Sequence, residues 1–400
     1  MLERALSTPV LSVNWRAAAR IRHGHVWVYR SDLVGHDQVA PGSLVRVQDE
    51  AGKYLGTALY SSSSQIAVRM LSGERLEPAG LVELLRQRLL AAIAYRERIV
   101  RDSDACRLVF SESDGLPGLI VDRYNDILSF QVLTQAMDRD DIRAAVLQTL
   151  LEALRPAAVV ERVDPRIRRL EHLLPREEGL CHGERTNTII AMNGVRFQLH
   201  ALAGQKTGAF LDQRENYAAA AQFARGEALD MFCYQGGFSL HLARVCSHVT
   251  AVDSSRPALE IAEQNEKLNA GEHGGREIEW IEANGFDLLK DYATAGRQYD
   301  TIVLDPPAFA RSRKALPTAL RGYKELNLRA LKMLRPGGAL VTCSCSFHVG
   351  EEDFLEMLRS AAFDARQSPK IIARRGQAKD HPVLLAIPET AYLKCVILTV

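Results

Sequence analysis

No stretch of the 400-residue chain reaches the roughly 18 uninterrupted apolar residues of a membrane-spanning helix, so a soluble protein is expected. Charge of one sign is lacking too. Fifty Lys plus Arg stand against 49 Asp plus Glu, a net charge of +1, which excludes a uniform polycation holding nucleic acid by bulk charge but leaves room for local basic patches. Cysteine is sparse: the seven, scattered from Cys106 to Cys395, include no C-x-x-C pair, so neither a disulfide framework nor a zinc-ligand spacing is present and a reducing cytoplasm fits. Residues 1–13 carry acid and no long apolar core and do not read as a secretory signal. Internal repeats and low-complexity tracts are absent. What is there is 47% apolar and 25% charged residues, over a length that accommodates two or three domains with sizeable cores.

Three textures follow one another. From residue 10 to about 72, short apolar runs, with strands expected at 44–47 and 65–68, are broken by Pro41-Gly42, Gly52, Gly56 and the serines at 61–64, a small all-β pattern. Helical spacing over 81–100 opens a second stretch, with strands expected at 107–110, 119–122, 128–133 and 157–161 and a helix at 140–154, an α+β unit. A charged, weakly periodic segment at 164–184 closes it. From Ile189 strands (228–232, 249–252, 278–281, 301–304, 339–343) alternate with helical patterns such as 257–269 and 321–334, which argues for a doubly wound parallel sheet. The expected domains are residues 1–75, 76–187 and 188–400.

The first of these strands reads Leu229-Asp230-Met231-Phe232 and turns through Cys233-Tyr234-Gln235-Gly236-Gly237-Phe238 into a helix. Gly236 and Gly237 allow close backbone approach at the carboxyl end of a strand, where such sheets bind ligands, although a tight turn without a ligand uses the same residues. The next strand ends at Asp253-Ser254, where a carboxylate accepts from ribose hydroxyls of NAD or S-adenosylmethionine alike. The G-x-G-x-x-G spacing that accommodates a pyrophosphate is missing, and Asp230 repels phosphate while suiting an ammonium. S-adenosylmethionine is favoured over a nicotinamide cofactor on those two grounds. Asn284-Gly285-Phe286 after the third strand offers an amide for an adenine amino group and a ring to cover the base, or simply an Asn-Gly turn before a helix.

The fourth strand ends Leu304-Asp305-Pro306-Pro307-Ala308-Phe309, and the two prolines stiffen the exit that holds Asp305 near the cleft. The fifth ends Cys343-Ser344-Cys345-Ser346. A thiolate there attacks electrophilic carbon, whereas Cys106, Cys181, Cys246 and Cys395 default to inert packing. Strand alternation puts Cys343 and Cys345 on one face with Cys345 further toward the cleft, which makes Cys345 the candidate nucleophile.

These segments resemble the bacterial large-subunit ribosomal RNA cytosine-5 methyltransferases, a family that modifies a cytosine of 23S rRNA. The likeness is carried by residues 230–238 and 304–309, by Arg321-Gly322-Tyr323-Lys324 through Asn327, and by Ser344-Cys345-Ser346. Residues 204–214 resemble the family's additional cofactor-side motif, and 23–29 with Gly115-Leu116-Pro117-Gly118-Leu119 extend the match over nearly the whole chain. The resemblance implies an α/β fold: a β-rich PUA-type RNA-binding domain, a small α+β central domain, and a class I, Rossmann-like methyltransferase domain with a mostly parallel seven-stranded sheet. It implies S-adenosylmethionine as cofactor, held by Lys206, Phe210, Gln213, Arg214, Asp230, Phe232, Gly236, Gly237, Asp253, Ser254, Asn284, Gly285, Phe286 and Asp305, with Cys345 and Asp305 as catalytic residues. The implied partner is ribosomal RNA, as 23S rRNA or a large-subunit particle, in the cytoplasm. A second copy of the chain is a further candidate partner, and neither metal nor membrane is expected. The chain departs from the family pattern where Cys343 replaces a bulky apolar residue and Asn284 an acid, and Pro307-Ala308 lacks the second cysteine of some RNA cytosine-5 methyltransferases.

The expected route begins with Cys345 adding to carbon 6 of cytosine, while Asp305, protonated or sharing a proton, hydrogen-bonds the ring near N3. For RNA contact, Arg16, Arg20, Arg22 and Arg30 lie among Trp15, Trp27 and Tyr29 with no acid between Trp15 and Arg30, a phosphate-binding and stacking mix, or else a solvated basic face with Trp27 and Tyr29 in the core. Arg311, Arg313 and Lys314 follow the Asp305 motif, and Arg321 and Lys324 extend that rim, unless they are ordinary helix-surface charge. Two rival functions stand beside this one: methylation of a guanine ring nitrogen or exocyclic amine, and a non-catalytic RNA-binding ribosome assembly factor.

Overall fold

The computed structural model describes residues 8–35, 39–202, 209–271, 276, 278–310 and 312–400. It divides the chain into two units, one of residues up to Thr188 with Leu199–Ala209 and Lys379–Thr390, the other of Ile189–Gln198, Phe210–Ala378 and Ala391–Val400.

In the first unit the short apolar runs become a six-stranded sheet ordered Trp27–Tyr29, Ile66–Ser72, Tyr54–Tyr60, Leu44–Asp49, Val10–Val13, Leu33–Val34. Its strands bury Val45, Val47, Ala58, Ala67 and Val68 with Ala17 and Ala18 of the helix Trp15–Arg22, which Asn14 caps by accepting from the Ala17 amide at 2.9 Å. A five-stranded sheet follows, ordered Gly179–His182, Ala158–Glu161, Ile127–Val132, Leu119–Tyr124, Ala105–Phe110, with helices Pro78–Ile99 and Asp140–Leu154. Leu44, Leu59 and Leu71 pack into the same buried cluster as Leu81, Leu85 and Leu108, so one core continues across residue 75.

Two local expectations change. The segment 164–184 is structured: Asp164 caps the helix Pro165–Leu170 and Gly179–His182 is the outer strand of the five-stranded sheet. A short helix and a four-residue edge strand carry too few apolar positions to show a period. Residues 379–390 also return to the first unit, where the buried Arg96 pairs with Asp114 and donates to the Asp380 carbonyl at 2.9 Å, and Asp380 accepts from the Arg107 amide at 2.9 Å.

In the second unit we number the strands β1 (Glu227–Met231), β2 (His248–Asp253), β3 (Ile278–Glu282), β4 (Tyr299–Leu304), β5 (Leu334–Ser344), β6 (Lys370–Arg375) and β7 (Lys394–Thr399). They form the expected seven-stranded sheet in the order β3-β2-β1-β4-β5-β7-β6, parallel except for β7, which runs antiparallel to both neighbours. The helices are α1 (Arg214–Phe223), α2 (Gly237–Leu242), α3 (Arg256–Leu268), α4 (Gly285–Thr294), α5 (Leu316–Met333) and α6 (Glu351–Ala365). Burial of both faces explains the near-continuous apolar runs of β1, β4 and β5. Strand order reverses between β1 and β4, so a crevice opens at their carboxyl ends.

Candidate active site

β1 delivers Asp230 to that crevice fully buried. Its Oδ2 accepts from Ser239 Oγ at 2.5 Å, while its Oδ1 is a buried acceptor with no hydrogen-bond partner among the described residues. Burial pushes this carboxyl up to about 7, against the opposing hydrogen bonds from Ser239. The chain then turns through left-handed backbone at Phe232 (φ 67°), Tyr234 (φ 50°) and Gly236 (φ 86°), a concentration of strain of the kind found at ligand sites. At Gly237 a Cβ would fall 2.5 Å from the Tyr217 ring, and at Gly285 one would fall 2.7 Å from the Phe232 ring.

Asp253, at the end of β2, organises the same turn. One oxygen accepts from the Tyr234 amide and the other from the Ser255 amide, each at 2.9 Å, and the second lone pair of each oxygen is left for a diol. Ser254 beside it is exposed. Asn284 realises the plainer of its two readings. Its Oδ1 caps α4, accepting from the Phe286 amide at 2.9 Å and the Asp287 amide at 3.4 Å, so the carbonyl expected to meet an adenine amino group is already engaged. Phe286 is partly buried between Phe232 (6.3 Å between centroids) and Phe309 (5.6 Å).

Asp305, at the end of β4, accepts from Gln213 Nε2 at 3.0 Å. The amide is oriented by its other end, since Gln213 Oε1 accepts from Asn216, which in turn accepts from Arg375 Nε. Burial, helped by the charges of Asp212 and Asp230, raises the Asp305 carboxyl to about 8, so at neutral pH it is largely protonated and able to donate. Arg214 is buried at the start of α1 with Glu215 at 3.9 Å, and Phe210 packs edge-on against Tyr234 with centroids 5.2 Å apart. Lys206 lies outside the described residues.

The two cysteines at the carboxyl end of β5 differ in environment. Cys343 is fully buried opposite Cys395 of β7, whereas Cys345, one residue beyond the strand, is partly exposed. Buried serines fix it on both sides. Ser346 Oγ accepts from the Ala310 amide at 3.2 Å and bonds the Tyr323 hydroxyl at 3.0 Å, while Ser344 Oγ accepts from the Ser346 amide at 3.3 Å. The Ser346 carbonyl accepts from Lys394 Nζ at 2.8 Å.

The basic candidates are less open than their sequence suggests. Arg20 pairs with Asp32 and Arg22 with Asp49, while Arg30 donates to the carbonyls of Ser61 and Ser64, so the partners come from the turn after Tyr29, the end of strand Leu44–Asp49 and the loop before strand Ile66–Ser72. Arg16 is exposed and lies over the exposed Trp15 ring, while Trp27 and Tyr29 are partly buried. Arg313, Lys314 and Arg321 are exposed, Arg321 donates to Thr318, and Lys324 pairs with Asp364 at 2.6 Å. Arg311 lies outside the described residues. Sequence reasoning missed Ser239, Asn216, Tyr217 and Lys394; of these only Lys394 left a signal, as a lone charge in the apolar strand Lys394–Thr399.

The site therefore offers a buried acceptor for a cation, a carboxylate for a diol, aromatic rings for a flat heterocycle, and a thiol and a protonated acid just past the carboxyl ends of two neighbouring strands. A family model of the PUA-like domain matches residues 11–73, and one of the S-adenosylmethionine-dependent methyltransferases matches residues 122–396. The ribosomal RNA large subunit methyltransferase I of Shewanella denitrificans is 37% identical over 92% of this chain and 94% of its own. That of Photobacterium profundum is 36% identical over 97% and 98%. Two solved structures share the fold at 18% identity, each covering 98% of this chain and 100% of their own: a methyltransferase complexed with SAH (TM-score 0.83) and a protein from Streptococcus mutans described as a SAM-dependent methyltransferase (0.82).

Proposed function

The chain belongs to the S-adenosylmethionine-dependent methyltransferases, with a PUA-like domain ahead of the catalytic one, and from that membership we propose that it methylates carbon 5 of a cytosine in 23S ribosomal RNA through a cysteine adduct. The curated relatives carry the name ribosomal RNA large subunit methyltransferase. What supports the finer reading is one juxtaposition: a partly exposed thiol, Cys345, just past the carboxyl end of β5 and a carboxyl raised to about 8, Asp305, at the carboxyl end of the neighbouring β4.

Bound S-adenosylmethionine supplies an electrophilic methyl on a sulfonium. The unpartnered Oδ1 of Asp230 would accept from its amino group, Asp253 would accept from the ribose hydroxyls and Phe286 would hold the adenine, with Phe232, Gly236, Gly237 and Gly285 shaping the cradle. Asn284 keeps only its amide N–H groups for the base. The Cys345 thiolate donates its pair to carbon 6 of cytosine and the displaced π pair makes carbon 5 nucleophilic. Asp305, protonated, donates to N3 and offsets the charge that develops on the ring. Once carbon 5 carries the methyl group, transfer of its proton to solvent water returns the C–H electron pair to the C5–C6 bond and expels Cys345 as thiolate. Arg16, with Trp15, and Arg313, Lys314 and Arg321 are the surface groups assigned to RNA; Arg20, Arg22 and Lys324 act there only if they leave their acidic partners. Ribosomal RNA as substrate supports a cytoplasmic enzyme. No helix of the described residues is long and apolar enough to cross a membrane.

RNA containing 5-fluorocytosine is the test, because fluorine at carbon 5 blocks the elimination. The wild-type protein is expected to form a stalled adduct on Cys345, and Cys345→Ala to lose both adduct and turnover while still binding S-adenosylhomocysteine. Full methylation by Cys345→Ala overturns the covalent route, and methyl transfer to an amine or guanine nitrogen overturns the cytosine assignment.

A further inference from the structure

We propose that Lys394 is a positioning residue for Cys345: its ammonium, buried on β7 beside the carboxyl end of β5, holds the Cys345 segment and favours the thiolate form of that side chain. The inference rests on the covalent reading above. Lys394 stands directly opposite Ser344 in the β5–β7 register and is only 8% exposed, in a strand whose neighbouring residues, Leu393, Cys395, Val396, Ile397 and Leu398, are buried and apolar. Its Nζ donates to the carbonyls of Ser346 and Tyr392, each at 2.8 Å, and among the described residues no carboxylate pairs with it. An ammonium withdrawn from water and held by neutral acceptors is costly unless an anion completes its shell. Cys345 lies between Ser344, its register partner, and Ser346, its acceptor.

The titratable surroundings agree. Burial lowers the Lys394 ammonium to about 8, and the Coulomb interaction with Cys345 works against that fall. From α5, Tyr323 also interacts with Cys345, and burial raises its phenol above the ordinary value, so it stays neutral and polar. Cys343, one turn of the pleat earlier on β5, is buried against Cys395 and is pushed well up, as is Asp305 on β4. Lys394 is the group in this set that carries positive charge. It acts twice without gaining or losing a proton: before the sulfur pair forms the bond to carbon 6, and again when that bond breaks and its electrons return to sulfur.

The test uses the full-length protein, with iodoacetamide as probe and the Cys345 peptide read by mass so that the exposed Cys181 does not interfere. Lys394→Met is expected to move the midpoint of pH-dependent alkylation at Cys345 up by about one pH unit, to lower kcat at pH 7 with recovery at higher pH, and to leave S-adenosylhomocysteine affinity unchanged, while Lys394→Arg restores the wild-type profile. Coinciding profiles for wild type and Lys394→Met overturn the inference. Because a buried substitution can unfold the strand, the reciprocal measurement uses Cys345→Ala: the Lys394 side chain, followed by NMR, should titrate below its wild-type value once the thiolate is gone, and an unchanged titration also overturns the pairing. A displaced alkylation profile together with full methylation by Cys345→Ala keeps the pair and overturns the covalent reading on which its role in catalysis depends.

Discussion

Asp230 shows how much a single residue takes from its surroundings. One oxygen is committed to Ser239, the other has no protein partner, and burial holds the carboxyl near 7. A cationic amino group favours the ionised form, so S-adenosylhomocysteine affinity is expected to rise about fivefold from pH 6 to pH 7, the growth in ionised fraction of a group titrating there. Isothermal titration should give this slope in the wild type and a flat, weaker profile in Asp230→Asn; equal slopes would remove Asp230 from the ammonium site. The same shift acts on stability. With Asp230 near 7 and Asp305 near 8, the folded chain binds more protons than the unfolded one above about pH 4, so these two groups make the ligand-free protein less stable as pH rises from about 4 to about 8. The sequence pointed to Asp230 and Asp305 through their strand-end positions, and the expected chemistry to a protonated or proton-sharing Asp305; the raised Asp230 and the physical cause of both shifts were illegible, because they depend on burial and on Asp212, Gln213 and Ser239 arriving from other elements.

The turn from β1 into α2 is the element to which the cofactor cradle is assigned. Two side-chain-bearing residues, Phe232 and Tyr234, adopt positive φ beside Gly236, at a cost of about 1–3 kcal/mol each that the surrounding packing has to offset. Gly237 is required for a different reason. Its backbone is helical, but Tyr217 of α1, a buried ring, occupies the space a Cβ would need. Gly237→Ala is expected to destabilise the protein by about 1–3 kcal/mol and to weaken S-adenosylhomocysteine binding. The double variant Gly237→Ala/Tyr217→Leu should recover part of the stability, as residues in contact do not act additively. Urea unfolding checks both, and strict additivity would show that the contact is not the cause. The glycine pair was visible in sequence as a close approach, but its neighbour was not, since Tyr217 is 20 residues away along the chain.

Across the whole molecule the net charge of +1 hides a sorting of charge by pairing. Arg20 and Arg22 read as free cations because no acid lies near them in sequence; folding brings Asp32 and Asp49 to them. Arg313 and Lys314 stay exposed. If the exposed pair meets RNA, replacing both by Ala should reduce the slope of log affinity against log salt by about 1.4, near 0.7 per lost phosphate contact on a single strand. Arg20→Ala/Arg22→Ala should change it less. Binding titrations at several salt concentrations decide, and equal losses would show that the paired arginines open to reach RNA.

The sequence alone determined the alternation of strand and helix, the strand ends that bear Asp230, Asp253, Asp305 and Cys345, and the likeness that led to the cofactor, because apolar period and turn residues are local properties of a chain. Tertiary structure decided the rest: that one core runs across residue 75, that residues 379–390 return to the first unit, that Asn284 caps a helix, that two arginines are neutralised, and that a lysine is buried against the Cys345 segment. Each of these depends on groups distant in sequence meeting where water is excluded, and it is exclusion of water that sets the cost of a charge and the value of its partner.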